Sequence, residues 1–218
     1  MSAGAKTARV RVKICGITNH EDALAAIALG ADALGFNLFP ASKRFIDIDR
    51  EAAWMQALPP FVARVAVLVN VPPDAARRIA ARPEIDLVQF HGDEDAAYCA
   101  EFAQLGRPFV KAVRLRDAAS VETAANFSTP HVLLDADAGA AYGGTGTPID
   151  LALAAECVRR HPALRIILAG GLKPENVAAA VQTVRPYAVD VASGVEADGD
   201  ARRKDAERMT RFFAAIAG

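Results

Sequence analysis

The chain has 218 residues, and its 25 Lys and Arg against 26 Asp and Glu give a formal net charge of -1. That balance leaves no broad basic field to gather nucleic acid or an anionic membrane surface, so any anionic ligand must be held locally. Hydrophobic residues make up 52% and aromatic residues 6%, an alanine-rich composition that suits helices packed closely on a sheet, and no run approaches the roughly 20 apolar residues of a membrane span.

The opening residues lack the apolar core of a signal peptide, so 1–8 read as a disordered lead-in and 9–218 as one domain. Short apolar runs follow at RVRVKICG (9–16), DALGFNLF (32–39), VARVAVLVN (62–70), DLVQFHG (86–92), PFVKAVRL (108–115), HVLLDA (131–136), RIILAGG (165–171) and AVDVASG (188–194). Helical stretches alternate with them at 19–30, where Asn19 is a candidate cap, and at 49–59, 73–82, 94–106, 118–127, 148–160, 173–184 and 201–216. Strict alternation with short linkers argues for a parallel sheet. Eight pairs in this length match the lower size limit of a closed (β/α)8 TIM barrel of the α/β class, with a doubly wound sheet as the alternative.

Three cysteines, Cys15, Cys99 and Cys157, are an odd number at irregular spacing, which points away from a disulfide framework or a CxxC metal site and toward a reducing cytoplasm. Cys99 and Cys157 fall on helices and read as packing residues. Side chains alternate faces along a strand, so Cys15 shares a face with Lys13 and Arg11, opposite Val10, Val12 and Ile14. That polar face should line the barrel interior. Gln89, His91, Lys111, Asp135 and Asp190 interrupt other strands and should converge on the same axis, with Lys13, Gln89, His91, Lys111 and Asp190 read as structural and an ion pair of the Lys111–Asp190 kind filling the core.

Cys15 and Asp135 stand apart because they sit at the C-terminal ends of their strands, where such barrels carry their chemistry. A small buried hydrophobe and a helix N-cap are the plainer readings of these two residues. Gly170-Gly171 and Ser193-Gly194 directly follow the last two strands, where freed amides make an anion pocket suited to phosphate. AYGGTGTP (141–148), with Gly143, Gly144 and Gly146, has the character of a lid loop. Arg44, after the second strand, could clamp a carboxylate through two parallel hydrogen bonds. Neither a metal nor a nucleotide cofactor is indicated, since ligand spacings and a GxGxxG turn are missing.

Taken together and in order, VKICGITNHEDA, GADALGFNLFPASKRFI, VQFHGDE, LLDA, YGGTG, LAGGLKPENV and VDVASGVE resemble the phosphoribosylanthranilate isomerase family of tryptophan biosynthesis. The resemblance runs from Val10 to the last helix. It implies a cofactor-independent Amadori rearrangement of a phosphorylated aminosugar, with Cys15 as general base, Asp135 as general acid, Arg44 on the substrate carboxylate, and Gly170, Gly171, Ser193 and Gly194 around the phosphate. Lys13 is then expected to favour thiolate at Cys15, and an apolar floor to keep Asp135 protonated. No nucleic-acid or membrane partner is expected; oligomeric state is left open, with the monomer preferred. Rival readings are another phosphosugar barrel, such as a ribulose-phosphate epimerase or indole-glycerol-phosphate synthase, and a non-catalytic binding barrel.

Overall fold

The computed structural model describes residues 9–136 and 147–217. The barrel strands are β1 (Arg11–Cys15), β2 (Ala33–Asn37), β3 (Ala63–Leu68), β4 (Leu87–Phe90), β5 (Phe109–Leu115), β6 (His131–Ala136), β7 (Arg165–Leu168) and β8 (Ala188–Val191). They form a closed parallel barrel in sequence order, with β8 returning to pair with β1. The helices are α1 (His20–Ala28), α2 (Ile48–Gln56), α3 (Pro73–Ala80), α4 (Ala96–Ala103), α5 (Ala118–Thr123), α6 (Leu151–Arg160), α7 (Val177–Val184) and α8 (Ala206–Ala217). Among the described residues no helix is long and apolar enough to cross a membrane.

Helix starts follow local chemistry. Asn19 accepts the Asp22 amide as expected, and Asp47, Asp95 and Asp150 cap α2, α4 and α6 in the same way. Each cap satisfies amides that the first turn leaves without intrahelical acceptors.

The period of two along each strand divides the apolar residues between two cores. Val12, Ile14, Phe36, Phe90 and Phe212 are buried between strands and helices, whereas Val110, Ala112, Leu133, Ile167, Ala169 and Ala188 fill the barrel. Each large side chain fully buried in the helix-facing layer contributes roughly 1.5–3 kcal/mol. At the N-terminal end, Tyr187 sits between the guanidiniums of Arg11 and Arg165, at 4.4 and 5.1 Å from its ring centre. Cation–π contacts thus close the bottom and leave the top for chemistry.

Two expectations need correction. Residues 201–204 are not helical: β9 (Glu196–Ala197) and β10 (Asp200–Lys204) form an antiparallel hairpin, and α8 begins only after Asp205. Tertiary hydrogen bonds hold this segment extended, since Thr18 Oγ1 donates to the Arg202 carbonyl and the Lys204 amide donates to Asp22 Oδ2. Second, Lys111 faces the helices, because its neighbours Val110 and Ala112 point into the barrel. Its partner is Glu94, with Nζ 3.0 Å from Oε2, while Asp190 pairs instead with Lys13 at 2.7 Å.

Candidate active site

A cavity of about 730 Å³ opens at the C-terminal mouth, walled by Cys15, Arg44, His91, Asp135, Gly170 and Glu196 among others. Gly171 and Ser193 also line it. The mouth gathers these residues because parallel strands deliver all their following loops to one end.

Cys15 stands in register with Gly35 of β2. A Cβ at position 35 would come within 2.8 Å of the Cys15 sulfur and 2.9 Å of Lys13 Nζ. The bare backbone there lets thiol and ammonium lie side by side. Burial pushes the Cys15 thiol up, and the Lys13 and Lys204 charges pull it back without cancelling that effect. Lys13 therefore acts in the expected direction, but the thiol is harder to ionise than a free one. Burial would lower the Lys13 ammonium, yet Asp190 and the thiol hold it above its ordinary value.

Arg44 reaches the cavity by crossing Gly16, where a Cβ would meet its Cδ at 2.4 Å. Its fork is already engaged: Nε donates to Glu196 Oε1 at 2.5 Å and Nη2 to Oε2 at 3.0 Å. Lys204 Nζ approaches the same Oε1 at 3.2 Å. Burial would raise the Glu196 carboxyl, but the Arg44 hydrogen bond and the Lys204 charge bring it below its ordinary value. Among the described residues Arg44 and Lys204 both pair with the Glu196 carboxylate, a basic grouping suited to an incoming anion. Neither Glu196 nor Lys204 was assigned from sequence. Glu196 lies in the SGVE stretch, and Lys204 was hidden in a charge run read as helix.

Asp135 has polar neighbours on both carboxyl oxygens, above the apolar barrel filling of Leu133 and Ile167. Its Oδ1 accepts the Ala136 amide at 2.9 Å, and its Oδ2 lies 3.3 Å from His91 Nε2. His91, grouped with the core-filling polar residues by sequence, is on the cavity wall. Behind it, Gln89 Nε2 is 2.9 Å from His91 Nδ1.

The glycines after β7 and β8 are shaped for close approach. Gly170 and Gly171 adopt φ of 83° and 66°, which a Cβ would strain. Gly194 lies so near the Leu172 carbonyl that a Cβ would be 2.0 Å from its oxygen. Asn176 ties the first loop by donating to the Gly171 carbonyl at 2.9 Å and accepting the Lys173 amide at 2.8 Å. Ser193–Val195 forms a 3-10 turn whose leading amides have no intrahelical acceptor. Gly143, Gly144 and Gly146 of the expected lid, like the expected lead-in 1–8, lie outside the described residues.

The family model of N-(5'-phosphoribosyl)anthranilate isomerase matches residues 12–215. This chain belongs to the phosphoribosylanthranilate isomerase family. It is an enzyme of the isomerase class. Its relative of that name from Geobacter sulfurreducens is 45% identical over 94% of this chain and 97% of its own. The phosphoribosylanthranilate isomerase of Thermotoga maritima superposes with a TM-score of 0.85 at 39% identity, covering 96% and 99% of the two chains. A further isomerase structure, in complex with reduced 1-(o-carboxyphenylamino)-1-deoxyribulose 5-phosphate, gives a TM-score of 0.81 at 37% identity over 96% and 99%. Around the closed barrel, the glycine loops of β7 and β8 lie between Asp135 on β6 and Cys15 on β1. Arg44 follows β2, on the far side of Cys15.

Proposed function

We propose that this family member converts N-(5-phosphoribosyl)anthranilate into 1-(2-carboxyphenylamino)-1-deoxy-D-ribulose 5-phosphate by an Amadori rearrangement, with Cys15 as general base and Asp135 as general acid. One observation carries the reading: a thiol and a carboxyl from non-adjacent strands line one cavity, in a chain of this family. Asp135 protonates the furanose oxygen as the ring opens. The resulting iminium acidifies the C2 hydrogen, and the Cys15 thiolate removes it. The enolamine then ketonises, and no step calls for a metal or cofactor.

Gly170, Gly171, Ser193 and Gly194 hold the phosphate through backbone amides and turn dipoles. The anthranilate carboxylate goes to the Arg44 cluster, where Lys204 supplies the second positive charge beside Glu196. Phosphate and carboxylate thus anchor the two ends of the substrate, with the reacting carbons between acid and base. The free thiols of Cys15, Cys99 and Cys157 suit the cytoplasm.

The test is turnover of phosphoribosylanthranilate, generated in situ and followed by loss of its fluorescence. Cys15→Ser and Asp135→Asn should each lower kcat by about 10²–10⁴-fold while product still binds. A wild-type chain that binds the phosphosugar without turnover would make it a binding barrel and end the catalytic reading.

A further inference from the structure

Gln89 is almost wholly buried, at 1% exposure, and among the described residues its Oε1 has no hydrogen-bond partner. An unmet buried acceptor is costly, so the orientation of this amide needs a compensating reason. Its other end supplies one. The amide nitrogen is a donor only, and at 2.9 Å from His91 Nδ1 it requires that nitrogen to accept. The imidazole proton is thereby placed on Nε2, the nitrogen 3.3 Å from Asp135 Oδ2.

The backbone around His91 is held with comparable care. The His91 amide donates to the Leu68 carbonyl at 2.8 Å, and Lys111 Nζ donates to the Gly92 carbonyl at 2.8 Å. Glu94 accepts the amides of Asn70 and Gly92 at 2.8 and 2.9 Å, so the turn after β4 is pinned from three sides. Ring position is set by this turn and ring tautomer by Gln89.

We propose that Gln89 is a positioning residue of the reaction: it fixes the Nε2–H tautomer of His91, and His91 in turn orients the Asp135 carboxyl. With Ala136 N–H on Oδ1 and His91 Nε2 3.3 Å from Oδ2, a donor group stands beside each carboxyl oxygen. A lone pair of Oδ2 remains for the transferable proton. The 3.3 Å separation shortens to a hydrogen bond in the substrate complex, as catalytic contacts commonly do. The opposite tautomer would set a nitrogen lone pair against the carboxylate each time Asp135 gave up its proton.

This inference rests on the acid role of Asp135, and its test separates the two. Long-range proton–nitrogen spectra of the ¹⁵N-histidine protein report the His91 tautomer directly, with His91→Gln supplying the assignment. The wild type should show Nε2–H. Gln89→Glu puts an acceptor against Nδ1 and should move the proton there or give the doubly protonated ring, with kcat falling at least tenfold and KM within about twofold. Gln89→Met, of similar volume and without a donor, should give mixed tautomers and a smaller fall, and it serves if the glutamate variant does not fold. Nδ1–H in the wild type, or an altered tautomer with unchanged kcat, would overturn the proposal. An inactive wild type showing Nε2–H would also remove its catalytic part, and the fault would then lie with the Asp135 assignment.

Discussion

Two of the buried lysine–carboxylate pairs lie on opposite faces of the barrel wall, one inside and one on the helix side, and they serve different ends. Lys13–Asp190, at 2.7 Å, lies inside the barrel beside the Cys15 thiol. Lys111–Glu94, at 3.0 Å, lies on the helix side, where the lysine also takes the Phe90 and Gly92 carbonyls. The inner pair adjusts charge at the Cys15 sulfur; the outer pair holds the turn that carries His91. Burial of two charges is in itself weak support for stability, since desolvation offsets much of the attraction. Their positions, rather than their pairing, therefore account for what each contributes.

Breaking either pair is the largest expected effect. Lys13→Met and Lys111→Met should each destabilise the chain by about 3–5 kcal/mol, because each leaves a buried carboxylate without its cation. Denaturant unfolding measures this. Lys13→Met with Asp190→Leu should recover most of the loss, whereas Lys111→Met with Glu94→Leu should not, because it also orphans the Asn70 and Gly92 amides. Failure of the first double to recover would mean that the charges, and not merely the filled volume, hold the barrel wall.

A smaller effect isolates the inner pair. Gly35→Ala places a methyl 2.8 Å from the sulfur and 2.9 Å from Lys13 Nζ, and it should cost about 1–3 kcal/mol as an overpacked site. Turnover should fall further than stability does, since the displaced atoms are those of the proposed base and its neighbouring cation. Equal, minor changes in both would show that the wall yields easily there.

The smallest effect is electrostatic and separates the two lysines most cleanly. With the thiolate as the proposed base, kcat/KM should rise with pH. Burial holds the thiol above its ordinary value, so the rise should continue beyond pH of about 8.5, where a free thiol is half ionised. Lys13→Met removes a charge that lowers the thiol and should push both the profile and a thiolate-absorbance titration higher still. Lys111→Met should leave that titration in place. A thiol unmoved by Lys13→Met would count against the electrostatic role given to the inner pair.

Much of the site was legible before folding was considered. Period-two alternation put Lys13 and Cys15 on one face, and their strand ended at a glycine turn, so the thiol had to stand at the mouth. The same argument placed Asp135, and direct succession after β7 and β8 placed Gly170-Gly171 and Ser193-Gly194. Lys111 shows where alternation stops being enough. Strands of a parallel barrel are buried on both faces, so periodicity tells which residues share a face but not which face turns inward.

The sequence by itself thus determined the number and order of barrel elements, the caps that begin several helices, and the end of the barrel at which chemistry gathers. These depend on neighbours a few residues apart. Tertiary structure alone decided the partners: Lys13 with Asp190, Arg44 with Glu196, His91 with Asp135. It also decided that residues 200–204 are extended, because distant groups on α1 and its preceding loop claim their backbone hydrogen bonds. Hydrogen bonds and ion pairs of this kind depend on approach through space, which local periodicity does not encode.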